Sequence, residues 1–170
     1  MKHLLSALTF LMVLVSCQSE PLSVEEEPDD LIWDIFPVEV VMVVTDARGN
    51  NLFDASITGN WLSEPFSATF DGKEFHWPSA DTREYLAELK GFYIFPSWYS
   101  QSKEVYLRFG ELDGEEDWDA DLCISWPDGS EDVIHVLHTF RWGRKGPETY
   151  HTEFKLNGTP VEGEIVRLKK

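Results

Sequence analysis

The sequence predicts an all-β fold, a single antiparallel β-sandwich of short strands with at most one short helix. Three observations carry this reading. Runs of about four to eight residues rich in Val, Ile, Phe, Tyr and Trp recur along the chain, and such residues suit a pleated, half-buried surface. Turn-forming groups sit between consecutive runs, at Asp71-Gly72, Pro127-Asp128-Gly129 and Asn157-Gly158. When strands are paired outward from those turns, the apolar residues collect on one face.

Val38 to Thr45 is dense in β-branched residues and stops at Asp46-Ala47-Arg48-Gly49-Asn50, so it reads as a strand and its exit turn. Phe66 to Trp77 reads as a hairpin on a type I′ turn at Asp71-Gly72. Its register sets Phe66 against Trp77 and Ala68 against Phe75, and leaves His76 facing outward with Ser67, Thr69 and Glu74. Asp81-Thr82-Arg83-Glu84 is a capping box, followed by Tyr85, Leu86 and Leu89 at helical spacing. The same stretch also reads as a strand with Tyr85, Ala87 and Leu89 on one face, and both readings stay open. Tyr93 to Phe95 and Glu104 to Phe109 are further strands.

Leu122 to Trp142 turns on Pro127-Asp128-Gly129. A three-residue loop, built as a type I turn followed by a glycine bulge, opposes Leu122 to Ile134 and keeps Ile124 and Trp126 on the same face. A two-residue loop would slip the pairing by one and put Ile134, Val136, Phe140 and Trp142 on the opposite face from Leu122, Ile124 and Trp126, splitting that apolar set. Tyr150 to Ile165 reads as a third hairpin on Asn157-Gly158, with Phe154 meeting Val161, Tyr150 meeting Ile165 and His151 falling opposite Glu164 on the wet side. Seven or more short strands joined in this way imply a sandwich that is immunoglobulin-like or transthyretin-like in outline.

The chain carries 31 acidic and 14 basic residues and a net charge of −17. A surface so acidic disfavours nucleic acid and anionic lipid headgroups, whose binding depends on Lys and Arg. Ahead of the strands, Lys2 is followed by an apolar run from Leu4 that closes on Leu14-Val15-Ser16-Cys17. The run is about a dozen residues, the length of an export signal and well short of the roughly 20 that a membrane span needs.

The four closing residues resemble the lipobox of bacterial lipoprotein signals. That resemblance implies a diacylglycerol on the Cys17 thiol, cleavage before Cys17 and acylation, palmitate among the chains, of the new amino group. It divides the sequence into a signal peptide over 1–16, an acidic disordered tether over 17–34 and a β-sandwich domain over 35–170; the mature chain from Cys17, about 150 residues, is enough for one core. By analogy with Gram-negative sorting, Gln18 in place of aspartate implies the outer membrane, with the bilayer reached through acylated Cys17 rather than through charge. The acids between Gln18 and Asp34, with no basic residue among them, resemble the tether of surface-exposed lipoproteins of Bacteroidetes. Together with the turn motifs at Asp46-Ala47-Arg48-Gly49, Asp71-Gly72-Lys73, Phe109-Gly110-Glu111 and Trp126-Pro127-Asp128-Gly129, the chain looks like the small uncharacterised lipoproteins of that phylum, a likeness that implies no functional residues.

Ten carboxylates and no Lys or Arg fall between Glu111 and Asp132. Asp117, Asp119 and Asp121 match the first three spacings of a calcium loop, but Leu122 stands where an EF-hand needs glycine and Asp128 where it needs glutamate. The segment reads first as a solvated acidic loop; a looser calcium site over Asp113, Asp117, Asp119 and Asp121 is the alternative, and no other cofactor is implied. His135 and His138 are three apart in a strand and point to opposite faces, so they do not share a metal, and His138 reads as a hydrogen-bonded core histidine. Cys123 reads as a small buried residue, without a disulfide partner once Cys17 is acylated. No phosphate loop, nucleophile elbow or zinc motif is present, and the expectation is a non-enzymatic module. Aromatics in loops, Trp98 and Tyr99 with Trp118 among the acids, are the candidate ligand-binding residues. The functional expectation is therefore a lipid-anchored binding or accessory module that engages an envelope protein partner, with glycan capture as the alternative.

Overall fold

In the computed structural model, residues 35, 37–78, 91–96, 104–144 and 146–170 are described. All belong to one unit, Asp34–Lys170, and a second unit, Met1–Trp33, falls outside them. Ten strands form two sheets: β1 (Val38–Thr45), β2 (Phe66–Phe70), β3 (Lys73–Trp77), β4 (Phe92–Pro96), β5 (Val105–Leu112), β6 (Trp118–Ser125), β7 (Glu131–Gly143), β8 (Gly146–Leu156), β9 (Thr159–Pro160) and β10 (Ile165–Lys169). The first sheet has the order β10-β1-β5-β4 and the second β3-β2-β6-β7-β8-β9. Their inner faces pack together as the predicted β-sandwich, and no helix occurs among the described residues. The helix-or-strand segment 82–90 lies outside them.

Local turn chemistry sets the β2–β3 and β6–β7 registers. Asp71 and Gly72 both have positive φ, 47° and 72°, as a type I′ turn demands, and Phe66 meets Trp77 and Ala68 meets Phe75. Gly129 N–H closes a turn on the Trp126 carbonyl at 3.0 Å, and Leu122 pairs with Ile134. At the end of β1, Asp46 Oδ1 accepts the N–H groups of Arg48 and Asn50, both at 2.8 Å, which fastens the exit turn.

Inward residues alternate along β2, β6, β7 and β10. Val40, Met42 and Val44 of β1 meet Leu107, Phe109, Val166 and Leu168 in the first sheet, and Ala68, Leu122, Ile124, Ile134 and Val136 face them from the second. Phe66 is the hub of the aromatic packing, with ring centroids of Phe92 at 5.0 Å, Trp126 at 5.2 Å, Phe53 at 5.9 Å and Trp77 at 5.9 Å. Leu52 and Phe53 reach this cluster from the connection between β1 and β2, a segment without strand periodicity.

Three expectations change. The third hairpin stays paired only near its turn, with Leu156 opposite Thr159, Lys155 opposite Pro160 and Val161 N–H on the Phe154 carbonyl at 2.9 Å. The chain then bends through Glu162-Gly163-Glu164 and crosses to the other sheet, where Ile165 pairs with Val41 in parallel, so the Tyr150–Ile165 and His151–Glu164 pairs do not form. Burying Val166 and Leu168 against β1 gives β10 a full inner face, which a longer hairpin would not provide. Cys123 is exposed, because Leu122 and Ile124 occupy the core side and strand alternation turns the residue between them outward. Trp142, expected on the apolar face, is 49% exposed: a bulge between Arg141 and Trp142 shifts the register there, and β6 pairs with β7 no further than His138.

Candidate functional site

The acidic segment is divided among several partners. Asp113 caps the turn after β5: its Oδ1 accepts Glu115 N–H at 2.9 Å, and its carbonyl accepts the Trp118 indole N–H at 2.8 Å. Asp117 is held by Arg141, whose Nη1 donates to Oδ1 at 2.7 Å and to Oδ2 at 2.6 Å, and by the Phe140 N–H at 2.9 Å. These bonds, the arginine first, hold its carboxyl below the usual range. Asp119 and Asp121 lie on the outer face of β6, beyond the loop.

His135 on β7 stands opposite Asp121, with Nδ1 at 2.9 Å from Asp121 Oδ1 and Nε2 at 3.5 Å from Asp119 Oδ1. The two carboxylates therefore flank different nitrogens of the ring and do not converge on one point. The structure thus separates the four candidate calcium ligands into a turn cap, an arginine partner and a histidine pair, and among the described residues no cluster of three His, Cys, Asp or Glu side chains is arranged to hold a metal.

On the other face of β7, His138 is fully buried, as expected of a core histidine. Its Nε2 lies 3.0 Å from the Gly114 carbonyl, an acceptor, so Nε2 carries the hydrogen and Nδ1 accepts from Thr152 Oγ1 at 2.7 Å. This satisfies both nitrogens and ties the acidic turn to β7 and β8. Trp118 is half-buried, with its ring 5.9 Å from Phe70, and serves as a lid on the core rather than an open platform. Trp98, Tyr99 and Cys17 lie outside the described residues.

A further feature involves residues outside the sequence candidates. A cleft of about 380 Å³ lies between the start of β1 and the outer part of β8, lined by Pro37, Val38, Glu39, Arg108, Tyr150 and Glu164 among others. On its β1 side Glu39 accepts hydrogen bonds from the Tyr93 hydroxyl and from Arg108 Nη1, a network that spans three strands. Burial, and then the bond to Glu39, raise the Tyr93 hydroxyl well above its ordinary value, so it remains protonated. On its β8 side Tyr150 is 59% exposed and packs edge-on against His138, 5.4 Å between centroids. Tyr150 and Trp142 are the exposed large hydrophobics of the described residues. Both lie where the long β7–β8 hairpin runs past the end of β6, and the signal for this in the sequence is only the unequal strand lengths, 13 and 11 residues against 8.

Comparison with known proteins finds no matching family, no matching curated protein and no matching solved structure.

Proposed function

We propose that the chain is a lipid-anchored protein of the bacterial outer membrane, tethered through acylated Cys17, whose β-sandwich is a non-enzymatic module that engages a protein partner. The observation that carries the partner reading is the overhanging β7–β8 hairpin with Trp142 and Tyr150 exposed at its flank. Large amphipathic rings held on a rigid ribbon supply contact area at little entropic cost, and they are the residues over-represented at protein interfaces. Support for the anchor is the lipobox Leu14-Val15-Ser16-Cys17 at the end of the apolar run. Glycan capture is the second reading, and it rests on the same rings.

The tests are direct. A palmitate analogue fed to cells should label the protein, and Cys17→Ala should abolish the label; a mutant that stays labelled would refute the anchor. Crosslinking in cells should recover a defined protein partner, and Tyr150→Ala with Trp142→Ala should weaken that recovery. Retardation in a glycan affinity gel, lost in the same double mutant, would favour the sugar reading instead.

A further inference from the structure

We propose that the free edge of β8 takes up an extended, basic peptide segment of the partner by strand addition, with a Lys or Arg side chain entering the cleft that Tyr150 and Glu164 line. The inference deepens the partner reading above and rests on it. Three observations support it.

The first is backbone accounting. β8 pairs with β7 along one side, but on its other side β9 covers only Lys155 and Leu156, with Val161 adding one bond to the Phe154 carbonyl. From Gly146 to Glu153 no strand lies on that side among the described residues. In an antiparallel ladder alternate residues direct their N–H and C=O to opposite sides, so Thr152 and Tyr150 share the direction of Phe154 and present theirs to the open edge. Eight residues of open strand span about 26 Å, enough for a peptide of similar length. Such an edge is a template for main-chain pairing.

The second is charge. Glu164 lines the cleft and Glu162 precedes it in the same bend; both are exposed and have no ion-pair partner among the described residues, whereas Arg108, the basic residue lining the cleft, is already bonded to Glu39. The site is therefore complementary to a cation. The third is the Tyr150 ring, whose exposed surface beside these acids offers a cation–π contact to the same side chain. A second copy of the chain is the poorer occupant, since edge-to-edge pairing would bring together two molecules that each carry a net charge of −17.

The experiment uses the full chain and two blocked peptides, one alternating Lys and Val and one alternating Glu and Val, with amide exchange followed residue by residue. The Lys-Val peptide should slow exchange at Tyr150 and Thr152 at least tenfold at saturation, the Glu-Val peptide should not, and Glu164→Lys should weaken binding about fivefold, the scale of one exposed charge. Tyr150→Ala keeps the N–H, so it should lower affinity yet preserve protection at saturation. Equal binding of both peptides, or slowed exchange confined to other strands, would overturn the proposal. So would amides that are protected without peptide, whether at all concentrations, which would mean that the chain covers its own edge, or only at high concentration, which would mean a second copy. If partner capture in cells succeeds but its crosslinks map away from β8, the partner reading stands and this proposal falls.

Discussion

Lys170 and Asp132 show how much one pair of side chains can hold. The Lys170 ammonium bonds to Asp132 Oδ2 and to Ser130 Oγ, and lies 5.1 Å from the centre of the Trp126 ring. Asp132 also accepts the Trp126 indole N–H at 2.8 Å and the Asn157 amide at 2.7 Å, so the end of β10 in one sheet is joined to two turns of the other. The side chains are 9% and 12% exposed, which leaves little water to replace a lost partner. Lys170→Met should therefore destabilise the domain by about 3 kcal/mol, readable as a lowered denaturant midpoint, since breaking a buried pair strands the remaining charge. Desolvation pushes the Asp132 carboxyl up, but the bonds from Lys170, Asn157 and Trp126 together outweigh it and hold the group below its ordinary value. A depressed carboxyl contributes stability that is complete above the unfolded value near about 4 and is lost as pH falls through the folded one. Melting temperature should accordingly drop on acidification below about pH 4, and Asp132→Asn should shrink that drop; an unchanged acid limb in the mutant would show that other carboxylates set it. Asp132 was legible in the sequence only as one of a run of acids, because its partner lies 38 residues away and in another sheet.

At the scale of elements, what was legible is what is local. The β2–β3 and β6–β7 registers follow from turns of two and three residues, and the structure reproduces both pair by pair. The alternation in β6 also determines where Cys123 points, since Leu122 and Ile124 face inward; the apolar character of a cysteine, taken without its parity in the strand, points to the wrong face. The β10 crossing, the Leu52–Phe53 plug and the overhang of β7 and β8 were not legible, because each depends on where a distant strand stops rather than on neighbours in sequence. Two glycines show the same contrast between local and non-local constraint. Gly72 has φ 72° in open space, and Gly110 has φ 131° where an added Cβ would lie 2.9 Å from the Val38 carbonyl oxygen. Gly72→Ala carries only the left-handed conformational cost, about 1 kcal/mol. Gly110→Ala adds a backbone clash at the bulge that joins β5 to β1, and should cost about 3 kcal/mol. Chemical denaturation of the two variants checks the order, and equal losses would mean that β1 shifts aside freely.

For the whole molecule, the dominant quantity is an excess of acids, most of it within residues 35–170 and the rest in the acidic segment before them. Ion pairs such as Arg167–Glu104, at 2.9 Å, and Arg141–Asp117 cross between strands, yet 31 acids cannot all be matched by 14 bases. The unmatched carboxylates repel one another more in the compact state than in the expanded one, so the fold carries a self-repulsion that salt relieves. Salt also weakens the exposed pairs, but each of these is worth only about 0–1 kcal/mol, and the buried Lys170–Asp132 pair is screened much less. Raising sodium chloride from about 10 mM to about 0.5 M shortens the screening length from about 30 Å to less than 10 Å, below the spacing of many like charges. The melting temperature of the unlipidated chain should therefore rise over that range, by more than an equal concentration of a neutral osmolyte produces. A fall would mean that the cross-strand pairs outweigh the repulsion. The same balance predicts that binding of a basic peptide at the β8 edge weakens as salt rises while the domain itself grows more stable, so affinity and stability should move in opposite directions along one titration.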